Sequence, residues 1–207
     1  MGKSPHTGTV SKEEYIALTD AAVEEGVFSD KETTFIQNIL KFKSIKAQNI
    51  MTPFSVASIA EENMTIKEFY ESQEELIFSR IPIYETTPNH VTGLVLKDEV
   101  LEKLIENNPH EPLKSIKKEI SIVAKETPIT ELFEKFIKDK AHMAVLVDDY
   151  GHTVGLVTME DVIETLLGLE IMDESDNVED MQILARQNWE RRAKRMGILG
   201  PKIDGKE

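Results

Sequence analysis

Gly155-Leu156-Val157-Thr158-Met159-Glu160-Asp161 decides the fold, because a version of it occurs twice. The earlier version is Gly93-Leu94-Val95-Leu96-Lys97-Asp98-Glu99, with its glycine 62 positions before Gly155. Each follows an apolar run and a loop, Arg80-Ile81-Pro82-Ile83-Tyr84 in the first copy and Met143-Ala144-Val145-Leu146-Val147 in the second. Further upstream, Thr65-Ile66-Lys67-Glu68-Phe69 matches Pro128-Ile129-Thr130-Glu131-Leu132 in pattern. A repeat of this length sets the architecture before any single element is assigned. One copy is too short to bury its own apolar faces, whereas two packed together can do so. The groove between two related halves is a natural ligand site.

Working outward, each copy reads as strand, helix, strand, strand, helix. The first copy covers residues 44–108. Its strands are Ser55 to Ala60, Ile81 to Tyr84 and Val91 to Leu96. Its first helix starts at the Thr65 cap and ends near Glu75, and its second runs from Lys97 to Glu106. The second copy covers residues 115–169. It has strands at Ser121 to Ala124, Met143 to Val147 and Thr153 to Val157, with helices at Ile129 to Ile137 and Met159 to Gly168. The last two strands form a hairpin around Asp148-Asp149-Tyr150-Gly151. The fold class is mixed α/β (α+β), with two β-α-β-β-α units packed pseudo-symmetrically.

The flanks belong to neither copy. Ser11-Lys12-Glu13-Glu14 and Ser29-Asp30-Lys31-Glu32 are two capping boxes, each with a hydroxyl at the N-cap and a carboxylate three residues on. They predict two short helices joined at Gly26-Val27-Phe28, a helical connector over residues 11–43. Residues 1–10 are polar and read as a disordered leader or the cut edge of a longer protein. Residues 170–207 are acidic from Glu170 to Asp180 and rich in Arg and Lys afterwards. That order suits a helix dipole and predicts one long helix capped at Ser175 or Asp176.

Composition narrows the function. The formal net charge of -14 argues against an electrostatic footprint for nucleic acid. There are no cysteines, which excludes disulfides and thiolate metal sites. No apolar run approaches the ~18 residues of a spanning helix. The five histidines show no metal-ligand spacing, so no metal site is assigned. No Ser-His-Asp or Cys-His arrangement and no complete phosphate loop can be assembled, which argues against an enzyme.

Thr158 and Asp161 admit two readings. The structural one is a capping box opening an apolar helix. The functional one uses the same geometry, since a helix N-terminus presents N–H groups and a positive dipole end to phosphate. Arg80, at the mouth of an apolar strand, reads as an exposed arginine or as a guanidinium reaching phosphate. The first copy has Leu96 and Glu99 where the second has Thr158 and Asp161. Leucine neither caps a helix nor bonds a phosphate, so one working site is predicted rather than two.

The repeat, with Gly-x-x-Thr-x-x-Asp after its third strand, resembles a tandem CBS-domain pair over residues 44–169. Five segments in order narrow the resemblance. They are Glu24-Glu25-Gly26-Val27, Ile50-Met51-Thr52-Pro53, Ser79-Arg80-Ile81-Pro82-Ile83-Tyr84, Asp148-Asp149-Tyr150-Gly151 and the stretch from Gly155 to Glu164. Together they resemble the cytosolic part of CorC/HlyC and cyclin M type divalent-cation transport proteins.

The resemblance implies an adenine nucleotide, ATP or AMP, bound with magnesium. It implies nucleotide contacts from Thr52, Arg80, Thr158 and Asp161, with Ile81, Pro82 and Leu156 either core or flanks of the adenine ring. Phe54 departs from the arginine common in relatives. It further implies a homodimer through the repeats and a transmembrane transporter domain as partner. The address it implies is the cytoplasmic face of the plasma membrane. The alternative function is a constitutive dimerisation and partner-docking scaffold without nucleotide control. The acidic run near residue 170 reads as a solvated helix start, with magnesium sensing as the competing reading.

Overall fold

The local signals that open helices do so here. The computed structural model describes residues 11–73 and 76–168. Helix α1 (Lys12–Glu24) begins at Ser11, whose hydroxyl accepts from Glu14 N while Ser11 N donates to the Glu14 carboxylate. Helix α2 (Asp30–Phe42) begins the same way at Ser29 and Glu32. Between them Gly26 takes φ +72°, the left-handed turn that the sequence places there.

The remaining elements are β1 (Thr52–Pro53), β2 (Ala60–Glu61), α3 (Ile66–Ser72), β3 (Arg80–Tyr84), β4 (Val91–Leu96), α4 (Lys97–Ile105), β5 (Ser121–Ala124), α5 (Ile129–Asp139), β6 (Met143–Val147), β7 (Thr153–Thr158) and α6 (Met159–Leu167). The fold is mixed α and β, as expected, with a small sheet in each half. One expected element is corrected. Ser55 to Ala60 is not a strand, because Phe54–Val56 forms a 3-10 turn and only Ala60–Glu61 pairs, with β3. Pro53 holds φ at -61° there and leads straight into the turn. Helix α3 ends at Ser72, before Glu75, and α5 runs on to Asp139 before Lys140 stops it at φ +52°.

The sheets are matched strand for strand. In the first, β2 runs parallel to β3, which pairs antiparallel with β4. In the second, β5 runs parallel to β6, which pairs antiparallel with β7. The outer edges are exchanged between the halves. Strand β1 precedes the strands of the first sheet in the chain yet pairs with β7, Thr52 opposite Leu156 and Pro53 opposite Gly155. Lys118 leads into the second repeat yet bridges Leu94 on β4. The segment from Ile45 is built into the second half from the start. Ala47 N bonds Thr127 O at 2.8 Å, and Ile129 N bonds Ile45 O at 3.0 Å. Residues 44–53 therefore pack with the second repeat, and not with the 44–108 copy in which the sequence places them. The leader and the C-terminal helix expected at residues 1–10 and 170–207 lie outside the described residues.

Strand pleating sends alternate side chains to opposite faces. Ile81, Ile83 and Val95 enter the first core with Phe69 and Leu113. Ala144, Leu146 and Val157 enter the second with Phe42, Ala47 and Phe136. The other faces meet across a seam of Val91, Val145 and Leu156, flanked by Phe54 and Ile120. Burying an aromatic such as Phe136 is worth roughly 3–5 kcal/mol against alanine.

Candidate functional site

Strand β7 hands directly to α6 at Thr158, which is still extended (φ -109°, ψ 167°). Its hydroxyl accepts from Asp161 N at 3.2 Å and donates to Asp161 Oδ2 at 2.7 Å, and its backbone N donates to the same oxygen at 2.6 Å. Burial pushes the Asp161 carboxyl above its ordinary value. The bonds from Thr158 oppose that, and the nearby charge of Glu160 adds to it. The helix start is thus completed by a hydroxyl and a half-buried carboxyl that a ligand hydroxyl or phosphate would approach.

The first half repeats the backbone without the chemistry. Leu96 stands at the N-cap of α4 with extended backbone and no side-chain cap bond. Lys97 N bonds Ser79 O at 3.0 Å, as Met159 N bonds His142 O at 2.9 Å in the second half. Glu99, the counterpart of Asp161, turns away from the cap to Lys118 at 2.7 Å. Its other oxygen, Oε2, is buried without a hydrogen-bond partner.

A cleft of about 560 Å³ lies between the halves. Arg80, Leu94, Leu96 and Lys118 line it from the first half. Ser121, Ile122, Lys140, His142 and Met143 line it from the second. Its charged wall is Arg80, Lys118, Lys135 and Lys140 against Glu119 and Asp139, so cations outnumber carboxylates in a chain of net charge -14. Lys135 is engaged with Asp139 at 2.8 Å. Among the described residues, Arg80 and Lys140 form no ion pair. Such a wall attracts anions.

The residues singled out from sequence fall in two groups. Thr52, Leu156, Thr158 and Asp161 gather on β1, β7 and α6 of the second half. Thr52 stands opposite Leu156, and Leu156 and Thr158 share a strand face. Arg80 and Pro82 share a face of β3 in the first half, opposite Leu96 and Leu94 respectively. Met143, opposite Thr158 on β6, joins the groups, because it lines the same cleft as Arg80. Of its two readings, core or flank of a ring, Ile81 takes the core one. It is 1% exposed on the opposite face of β3, where it forms part of the first core.

Lys118, Ser121, His142 and Met143 line the cleft and were not singled out from sequence. Met143 had a signal, since it is the counterpart of Arg80 in the repeat. Lys118 had none, since its neighbours come from strand pairing across the exchange. Among the described residues, no group of three His, Asp or Glu is arranged to hold a metal ion. The acidic run of residues 170–180 lies outside the described residues.

The CBS domain family model matches residues 113–168. A UPF0053 protein, the MG146 homolog of Mycoplasma pneumoniae, is 30% identical over 180 residues, which are 87% of this chain and 42% of that protein. The CBS domain of a bacterial CNNM/CorC family Mg2+ transporter is 31% identical with a TM-score of 0.72, covering 79% of this chain and 99% of that one. A structure of such a domain in complex with ATP is 29% identical with a TM-score of 0.63, covering 67% of this chain and 98% of that one. The chain spans about half the length of the curated relatives it matches, 42% and 52% of the first two.

Proposed function

Because the chain belongs to the CNNM/CorC family of Mg2+ transporters, of which it carries the CBS-domain region, we propose that it is the adenine-nucleotide sensor of such a transporter. One observation carries this reading. A cationic cleft in an acidic chain is lined by Arg80, Lys140 and Met143; Thr158, whose helix start Asp161 finishes, is not in its lining but stands opposite Met143 on the neighbouring strand. The helix start and Asp161 suit a ribose and its first phosphate, and Arg80 with Lys140 suits the phosphates beyond. The solved relative in complex with ATP supports the choice of ligand. Magnesium enters with the phosphates, its usual mode of binding, rather than through a protein cage.

In this reading the chain is a regulatory module and not an enzyme. The Asp161 carboxylate is engaged by Thr158 and is not free to activate water. The partners are a second copy and a transmembrane domain, at the cytoplasmic face of the membrane. Among the described residues no helix is long and apolar enough to cross a membrane. Leu18, Val27 and Ile39 of the connector are each more than half exposed, an apolar surface suited to such partners. A ligand regulates only through different affinities for two states of the protein.

Isothermal titration with ATP, ADP and AMP, each with and without magnesium, tests this. The expected result is saturable binding at one site per chain, with a change in the dimer's scattering profile on saturation. Absence of binding by all three, with a stable dimer, would support a constitutive scaffold instead. That second reading draws on the Thr158–Asp161 pair as a helix capping box, a purely structural role.

A further inference from the structure

We infer that residues 181–196 dock on the outer face of helices α1 and α2 of their own chain. That face is apolar where a surface helix is ordinarily polar. Tyr15 and Leu18, one helical turn apart on α1, are 51% and 60% exposed, while Thr19 is buried. Val27 in the turn and Ile39 on α2 are more than half exposed. Single apolar side chains at a surface are ordinary, but four large ones on one short hairpin mark a surface that something covers.

Charge selects the occupant. Residues 11–32 carry seven carboxylates against two lysines. Glu14, Asp20, Glu25 and Asp30 are exposed, and among the described residues none of them makes an ion pair. A second copy docked face to face would set like charges together, whereas a basic amphipathic segment is complementary. The chain supplies one. Residues 181–196 carry five Arg or Lys against Glu190 alone. Met181, Ala185, Trp189, Ala193 and Met196 recur at helical spacing, which gives a helix there one apolar stripe.

The fold brings the segment to the face. A Cβ added to Gly168 would stand 2.3 Å from Asn38 Nδ2 and 3.2 Å from Thr34 Cγ2, so the chain leaves α6 alongside α2, one position from Ile39. Residues 169–180 then connect Gly168 to Met181. Extended, they reach about 40 Å, and α2 is only about 20 Å long. A segment tethered this closely has an effective concentration on the order of millimolar, so even a weak contact is well occupied. The covered face is the one offered above to a transmembrane domain, and the segment would compete with that domain for it. The competition rests on the functional reading, whereas the docking does not.

Trp189 is the sole tryptophan of the chain, so fluorescence of the intact protein reads the segment directly. In wild type its emission should be blue-shifted and shielded from acrylamide. Leu18→Ser with Ile39→Ser, both at exposed positions, should shift the emission to the red. The quenching constant should rise about three-fold as a mostly docked segment becomes mostly free, with the far-UV spectrum unchanged. Arg191→Glu with Arg192→Glu should do the same without altering α1 or α2. A red-shifted, freely quenched Trp189 in wild type overturns the inference, as does shielded emission that neither pair of substitutions changes. The doubly substituted Leu18→Ser, Ile39→Ser protein is then mixed with Trp189→Phe protein and the subunits are allowed to exchange. Emission that stays exposed supports docking within one chain. Restored shielding makes a second copy the host and overturns the inference.

Discussion

Gly155 lies so close to Thr52 that a methyl group does not fit between them. A Cβ added to Gly155 would stand 2.7 Å from Thr52 O and 2.6 Å from Met51 Sδ. Gly93 meets the same constraint from Lys118 O at 2.6 Å. The glycine of each repeat is thus explained by an edge strand arriving from the other repeat. Gly155→Ala must push β1 off β7, an overpacking cost of about 1–3 kcal/mol. Thermal denaturation should show the loss, and nucleotide affinity should fall with it because Thr52 moves. A variant with unchanged midpoint and affinity would mean that the edge yields freely.

Thr158→Val keeps the shape of the side chain and deletes the hydroxyl. The capping box is lost, which lowers stability by about 0.5–2 kcal/mol while the fold persists. Nucleotide affinity should fall at least ten-fold in calorimetry, whereas Thr158→Ser should restore both properties. Wild-type affinity in the valine variant would remove Thr158 from the site.

Arg80 stands opposite Leu96 and has no ion-pair partner among the described residues, so its removal leaves no buried charge behind. Arg80→Ala should change stability by no more than about 0.5 kcal/mol. ATP affinity should drop about ten-fold, and its dependence on salt should become shallower because one fewer charge meets the phosphates. Titrations at two ionic strengths read both effects. An unaltered salt slope would place Arg80 away from the ligand.

Glu62 sets an acid limit on the first half. It is 6% exposed and accepts from Lys117 Nζ at 2.7 Å and from Thr92 Oγ1 at 2.8 Å. The Lys117 bond, then the Thr92 bond, hold its carboxyl below the ordinary value of 4.5. A depressed carboxylate contributes its full stability above the unfolded value and loses it as pH falls through the folded one. Wild-type stability should therefore decline below about pH 4.5 more steeply than that of Glu62→Gln. At neutral pH the same variant should be weaker by about 1–3 kcal/mol, because Lys117 loses its carboxylate. Parallel pH profiles for the two proteins would show that Glu62 does not govern the acid limb.

What could be read in advance was local. Ser11 with Glu14, Ser29 with Glu32 and Thr65 with Glu68 each place a hydroxyl and a carboxylate within one helical turn, so the chain announces those helices by itself. The repeat made the strand order legible for the same reason, since Leu94 and Leu156 sit in matching frames. The exchanged edges were not legible. Nothing near Thr52 names Leu156 as its partner, and nothing near Lys118 names Leu94. Ser55 to Ala60 misled because alternating small residues resemble a strand, whereas Pro53 steers the backbone into a turn. The cleft followed the same division. Thr158 and Asp161 signal themselves through their spacing, while Lys118 and His142 arrive by tertiary packing alone.

The crossed edges also determine which half answers to helices α1 and α2. Phe42 is buried in the second core, Ala47 is bonded to Thr127, and Gly168 at the end of α6 abuts Asn38 of α2. A twist applied at the amino end therefore acts on the later repeat directly and on the earlier one only second-hand. Lever and binding lip are joined through one packed core, although more than a hundred residues of chain separate them.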